Sequence, residues 1–460
     1  MDEHAIGPDY FIVKGSFFMH PKLSLFPQGV AIDPSGQLTL RGHRATDLAR
    51  HYGTPLYIYD LGTIRWQIAA YRQALTAYPG PTRLTYASKA FLCTALARLM
   101  TAEGVGLDVA SAGEIFIGQR GGANPAHMHL HGNNKSRLDL ETALSVGVGQ
   151  IVLDNAAELA LLGELVAERR RPVDLWLRLT PGVAVETHHR YTVTGGVDSK
   201  FGFSLAEAKQ TAERLLQRSA TEINPPRLNL TGLHLHLGSH FYDAEPVAEA
   251  VDRLLDLAKL LREGYNWEMQ TLCPGGGWGV PYHPTDPPMP IEPFVGGLVE
   301  AVKLGCARRN LPRPELVLEP GRSLVAQAGV ALYRVGGRKV TPSGRTYVSV
   351  DGGLADNPRP ALYQARYTAL LANRAGEPET ETVAIAGPFC ESGDVLIEAV
   401  DLPPTQPGDL VAVPVSGAYQ LSMGSNYNAA LRPAVVFLDE GEVRLVQRRE
   451  TLEDLVRRDI

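Results

Sequence analysis

From Leu84 onward the sequence repeats one unit: a short apolar run, a few polar residues, then a stretch whose apolar residues recur at helical spacing. The apolar runs at 84–87, 106–109, 128–131, 151–153, 174–179, 230–237, 270–273 and 315–318 read as strands. Helical patterns fill intervals at 113–120, 138–146, 156–169, 205–217, 245–263 and 292–309. Strands joined through helices pair in parallel and are buried on both faces, which is why they read as unbroken apolar runs. Eight such runs in this order predict an α/β fold with a parallel (β/α)8 barrel, the alternative being an open doubly wound sheet.

After about residue 320 the texture changes to strand-like pieces at 325–335, 347–350, 382–386, 410–414, 434–437 and 443–446, with one helical pattern at 360–373. This predicts a mostly antiparallel β domain. The first 59 residues carry strand-like pieces at 10–13, 30–32 and 55–59, and are too few to pack a core alone. The expected division is 1–59 as a segment contributing strands to the β domain, 60–320 as the barrel and 321–460 as the C-terminal β domain. A chain of 460 residues, 44% hydrophobic, has enough apolar material for two domains.

Net charge is −6 with no basic run, which argues against a nucleic-acid partner. No apolar stretch reaches the roughly 18 residues of a membrane helix, and the first 30 residues do not read as a signal peptide. The cysteines, Cys93, Cys273, Cys306 and Cys390, are scattered without a C-x-x-C pair. That argues against disulfides and structural zinc, and for a reducing compartment, the cytoplasm.

Polar residues follow the predicted strands, at the end where a barrel carries its active site. Lys89 follows the first; Asp108 and Ser111 follow the second; His131, Asn133, Asn134 and Lys135 the third; Asp154 and Asn155 the fourth. Arg178 closes the fifth, His236 and Ser239 the sixth, Gly275, Gly276 and Gly277 the seventh, and Glu319, Gly321 and Arg322 the eighth. A lysine in that position serves as a Schiff-base nucleophile where burial or neighbours lower its pKa. The glycine run lets backbone N–H groups approach an anion, and Gly321 with Arg322 adds a second loop, so the two form a phosphate cup. His127, His129 and His131 alternate on one strand, as do His234 and His236, but no matching acidic or cysteine cluster completes a metal site, so no metal is expected. His236 suits a flat ligand. Glu319 is either a structural carboxylate paired with Arg322 or a partner for a ring nitrogen. A lysine, a phosphate cup, a flat histidine and a buried carboxylate together describe a pyridoxal phosphate site.

These motifs identify a family resemblance. Tyr86-Ala87-Ser88-Lys89-Ala90, His131-Gly132-Asn133-Asn134-Lys135, Asp198-Ser199-Lys200-Phe201-Gly202, His234-Leu235-His236-Leu237-Gly238-Ser239, Gly275–Gly277 and Glu319–Arg322 occur in the order of the barrel-type (fold type III) pyridoxal phosphate-dependent amino-acid decarboxylases. Asp356-Asn357-Pro358-Arg359-Pro360-Ala361-Leu362-Tyr363, Cys390-Glu391-Ser392-Gly393-Asp394 and Gly417-Ala418-Tyr419 resemble most closely the diaminopimelate decarboxylase branch. The resemblance spans roughly residues 30–455; Trp278, His240, Gln420 and Leu421 depart from the usual pattern.

The resemblance implies pyridoxal 5'-phosphate as cofactor and decarboxylation of meso-2,6-diaminopimelate to L-lysine, the last step of lysine biosynthesis. Lys89 would carry the cofactor and Cys390 would return a proton. His236 would stack on the ring, supported from behind by Asp108, while Glu319 meets the ring nitrogen. Ser239, Gly275, Gly276, Gly277, Gly321, Arg322 and Tyr419 would hold the phosphate. Arg322, Arg359, Tyr363, Glu391 and Tyr419 would bind substrate. A homodimer with shared active sites is also implied, Cys390 reaching the partner's site. The rival reading is a decarboxylase of another basic amino acid or a carboxylated polyamine (ornithine, lysine, arginine or carboxynorspermidine type).

Overall fold

A computed structural model describes residues 20–167, 171–183, 185, 194–196, 198–221, 228–288 and 290–460. The expected strand at 10–13 lies outside the described residues. Strands Thr82–Ala87, Gly106–Val109, Met128–Leu130, Gln150–Leu153, Val173–Leu179, Leu228–Leu235, Thr271–Cys273 and Glu315–Leu318 pair in chain order, all parallel, and the last closes on the first through Leu316 opposite Thr82. All eight predicted strands are therefore present, within two or three residues of their expected ends, and the sheet is a closed barrel rather than an open one.

Side-chain alternation along these strands divides the barrel in two. Outward residues such as Leu107, Leu130, Ile151, Leu175 and Leu233 join the large core shared with the helices. Inward Val152, Trp176, Cys273 and Val317 make a small separate cluster inside the barrel. Carried two residues further toward the strand ends, the inward set becomes polar: Asp154, Arg178 and Glu319, with His131 and His236 in the same register.

Some rim residues serve the fold instead of the cleft. Ser111 Oγ accepts from Glu114 N at 3.3 Å and Asn155 Oδ1 from Glu158 N at 2.9 Å, each capping the helix that follows its strand. Lys135 is buried and donates to Gly132 O, Val152 O and Glu158 Oε1 at 2.6–2.8 Å. Those three bonds use all three protons of its ammonium group.

The second unit is a nine-stranded, mostly antiparallel sheet. Its longest strand, Gly329–Val340, pairs along its first half with Leu56–Asp60 and Leu410–Val413, and along its second half with Thr346–Val350. Two pairs are parallel: Leu56–Asp60 with Ala434–Asp439, and Thr346–Val350 with Glu381–Ala386. Of the N-terminal segment, Leu56–Asp60 enters this sheet, while Val30–Ile32, Leu38–Leu40 and His43–Arg44 form a three-stranded sheet of their own. That small sheet and helix Ala45–Tyr52 pack Leu38, Leu40, Leu48 and Ala49 against Ile58, Val330 and Val436.

The helix expected over 360–373 is only Arg359–Tyr363. Gln364 turns left-handed at φ +53°, and Leu370–Leu371 pairs with Leu410–Val413. Strand pairing there overrides the apolar spacing that suggested a longer helix.

The two units meet at the barrel rim. Tyr419 N donates to Ala90 O at 2.8 Å and Ser422 Oγ donates to the same oxygen at 3.1 Å, while within the β unit Tyr59 Oη donates to Gly417 O at 3.0 Å. A Cβ at Gly417 would stand 1.8 Å from Val325 O, so only glycine lets this loop come so close. Its closeness brings Tyr419 to the end of the first barrel strand.

Candidate active site

Lys89 sits in the single turn Ser88–Ala90, beyond the last residue of the first barrel strand. Its side chain is half exposed in a cleft also lined by His236, Ser239, Glu319, Arg322 and Tyr419. Lys89 Nζ lies 3.9 Å from Asp108 Oδ2. Burial acts to lower the pKa of the ammonium, but Asp108, Tyr419 and Glu319 outweigh it and the net shift is upward. This is the reverse of the lowering looked for in the sequence, because two carboxylates face the amine.

Asp108 was expected behind His236. It lies beside Lys89 and His131, its Oδ1 3.6 Å from His131 Nε2. Arg322 is not the partner of Glu319. It donates through Nη1 to Tyr282 Oη at 2.7 Å and through Nη2 to Ser239 Oγ at 2.9 Å.

Glu319 is held by histidines. Oε1 accepts from His131 Nε2 at 3.1 Å and His129 Nδ1 at 3.4 Å, and Oε2 from His234 Nε2 at 3.0 Å. Burial alone would raise the pKa of this carboxyl, yet the histidines hold it well below the usual carboxylate range. Burial also lowers His129, and takes His234 down to about 3, so both rings are neutral at pH 7. A neutral ring that donates one N–H leaves its other nitrogen bare. The bare atoms, His129 Nε2 and His234 Nδ1, are buried without partners, an acceptor unpaired rather than a proton. A carboxylate has about four acceptor sites, of which these histidines take three. Glu319 also lines the cleft, and the Cys273 thiol bonds to the same carboxylate.

The histidines had appeared in the sequence to lack an acidic or cysteine companion. The barrel supplies both: His129, His131 and Glu319 converge, as do His234, Cys273 and Glu319. The sequence hid this because the partners lie on different strands. Burial and Glu319 push the Cys273 thiol well above its ordinary pKa, keeping it protonated.

The glycine run forms a backbone cradle. A Cβ at Gly276 would be 2.1 Å from Glu319 O, and one at Gly277 2.0 Å from Gly238 O. Glu319 N donates to Gly275 O at 2.9 Å, tying this loop to the last strand. His236 follows the sixth strand, with Nδ1 3.5 Å from Gly276 N. Burial, then Lys89 and Arg178, drive its pKa well below the ordinary value, so it presents a neutral ring. Neutral imidazole, buried carboxylate, glycine cradle and half-exposed lysine fit a phosphorylated pyridine aldehyde in shape and charge.

Arg359, at the start of its short helix, is buried; Nη1 donates to Tyr367 Oη. Tyr363 ends the same helix. Cys390 and Glu391 lie elsewhere, exposed on a loop of the β domain. Asp394 fixes that loop by accepting from Phe389 N at 2.9 Å and Leu354 N at 2.7 Å, and Tyr427 Oη donates to Glu391. Among the described residues, neither Cys390 nor Glu391 lines the cleft at Lys89. Residues the sequence did not single out are Tyr282, Tyr367 and Cys273, and the roles of His129 and His234 around Glu319. The signal available was inward parity on a barrel strand for Cys273 and the histidines; for the tyrosines there was none.

Comparison with known proteins agrees with this geometry. The profile of the pyridoxal-dependent decarboxylase, pyridoxal binding domain family matches residues 61–326. The chain is 44% identical over 427 residues to a diaminopimelate decarboxylase of Bacillus subtilis (strain 168), covering 92% of this chain and 95% of that one. It is 41% identical over 449 residues to the Synechocystis enzyme of that name, covering 95% and 93%. The crystal structure of diaminopimelate decarboxylase from M. jannaschii superposes with a TM-score of 0.85 at 30% identity, covering 94% of this chain and 98% of that one. On its barrel, its rim residues and these relatives, the chain belongs to the diaminopimelate decarboxylase family of pyridoxal-dependent decarboxylases.

Proposed function

We propose that this protein decarboxylates meso-2,6-diaminopimelate to L-lysine, with pyridoxal 5'-phosphate held at Lys89, residues 60–320 forming the cofactor barrel and 321–460 the β domain. The observation that carries the substrate choice is Arg359: a buried guanidinium with, among the described residues, no carboxylate partner. A buried cation without a counter-ion is costly, and a carboxylate on the substrate supplies one.

When bound, pyridoxal 5'-phosphate supplies an electron sink for the pair left behind as CO2 departs. The chain's own groups do the rest. Lys89 Nζ would hold the cofactor, with Asp108 beside it. Glu319, kept ionised by its histidines, would hold the cofactor's ring nitrogen. His236 would offer its neutral ring to the cofactor. Ser239, Gly275, Gly276, Gly277, Gly321, Arg322 and Tyr419 surround the phosphate. Arg322, Arg359, Tyr363 and Tyr419 bind the substrate's distal end, the planar guanidinium forks suiting a carboxylate. Glu391 meets the distal ammonium. Cys390 would donate the returning proton at the carbon that lost CO2.

Because Cys390 and Glu391 do not line their own chain's cleft, we assign them to the site of a partner subunit in a homodimer. No helix among the described residues is long and apolar enough to cross a membrane. The test is to reconstitute the protein with pyridoxal 5'-phosphate and measure CO2 and amine product from candidate amino acids. Diaminopimelate should give lysine far faster than lysine, ornithine or arginine gives its amine. Equal or faster turnover of ornithine would reject the assignment.

A further inference from the structure

Arg322 and Arg359 come from different units, one after the last barrel strand and one at the head of a β-domain helix. They meet across a single ring: their guanidinium carbons lie 5.8 and 4.6 Å from the centroid of Tyr282. The Arg322 fork is held by two hydroxyls, Tyr282 Oη on Nη1 and Ser239 Oγ on Nη2, while its buried Nε has no partner. Arg359 Nη1 donates to Tyr367 Oη. The Tyr367 ring stands edge-on to Tyr282, with centroids 5.3 Å apart and planes at 85°. Both tyrosines are 3% exposed.

Among the described residues neither arginine forms an ion pair, so two cations face one another's neighbourhood with only phenols between them. Burial would raise the pKa of Tyr282, yet Arg322 and Arg359 bring it below the ordinary value, as expected for an oxygen serving as the negative end between two guanidiniums. Long arginine side chains lose much rotamer freedom on binding unless already held.

We propose that Tyr282 and Tyr367 are positioning residues that hold Arg322 and Arg359 as a preset pair of forks for the carboxylate at the substrate's distal end. This rests on the reading of the site given above. Tyr282 spaces the cations with its ring and aims Arg322 with its hydroxyl; Tyr367 aims Arg359. Neither tyrosine touches the reacting carbon. Their effect should appear in recognition of the distal carboxylate, and so in KM rather than kcat.

The test uses the holoenzyme and the variants Tyr282→Phe and Tyr367→Phe, which keep both rings. Two probes are titrated: L-lysine, which retains the distal carboxylate, and 1,5-diaminopentane, which lacks it. Each variant should bind L-lysine roughly tenfold or more weaker, the loss of one bond to a charged group, and the diamine within about twofold of wild type. KM for diaminopimelate should rise by a similar factor with kcat little changed. Equal weakening of both probes would mean a general packing role and would overturn the proposal, as would unchanged binding of both. The binding ratio reads the tyrosines whether or not CO2 is released, so failure of the decarboxylase reading and failure of this one are separate results.

Discussion

Mixing Lys89→Ala chains with Cys390→Ala chains should recover activity from two inactive proteins. Alone, the first lacks the amine proposed to carry the cofactor. The second lacks the proposed proton donor, a loss of about 10²- to 10⁴-fold for a general acid. Cys390 is exposed on a β-domain loop and does not line the cleft at Lys89 in its own chain. If each site combines Lys89 of one chain with Cys390 of the other, a mixed dimer has one site with both defects and one with neither. At equal mixing half the dimers are mixed, so roughly a quarter of wild-type activity should return. Sites built within single chains would leave one defect everywhere, and mixed dimers verified by mass with no recovered turnover would show that arrangement.

The second large effect concerns substrate choice. Arg359→Ala should lower kcat/KM for diaminopimelate by about 2–5 kcal/mol, or roughly 30- to 5,000-fold, the cost of removing one partner of a buried charged contact. The loss should fall on substrates with a distal carboxylate. Because Arg359 is buried against Tyr367 and Tyr282, a melting curve must accompany the assay. A folded variant with unchanged kcat/KM would remove Arg359 from the substrate site.

The barrel was legible in the sequence because parallel strands are buried on both faces and so read as apolar runs between amphipathic helices. Lys89, His236, Ser239, the glycine run and Glu319 were legible because a barrel collects strand-end residues at one rim, whatever their separation along the chain. What the sequence could not supply was partnership across strands. Glu319 was weighed against its neighbour Arg322, yet its bonds come from His129, His131 and His234 on two other strands. Asp108 was set behind His236 by resemblance; its contacts with Lys89 and His131, made across strands, carried no signal in the sequence. Ser111 and Asn155 look like site residues because cap residues and ligand-binding residues are the same polar types in the same place, after a strand and before a helix. The overlong helix at 360–373 failed for a different reason: a two-residue strand, Leu370–Leu371, takes its apolar pair into the sheet.

All of this turns on Lys89 being the residue that carries the cofactor. The alternatives in the motifs are Lys135, whose protons are all engaged with Gly132, Val152 and Glu158, and Lys200, which lies over the Phe201 ring. Borohydride reduction of the protein reconstituted with pyridoxal 5'-phosphate, followed by digestion and peptide mapping, decides between them. The pyridoxyl label should fall on the peptide containing Tyr86-Ala87-Ser88-Lys89. A label on Lys135 or Lys200, with Lys89 unmodified, would contradict the account.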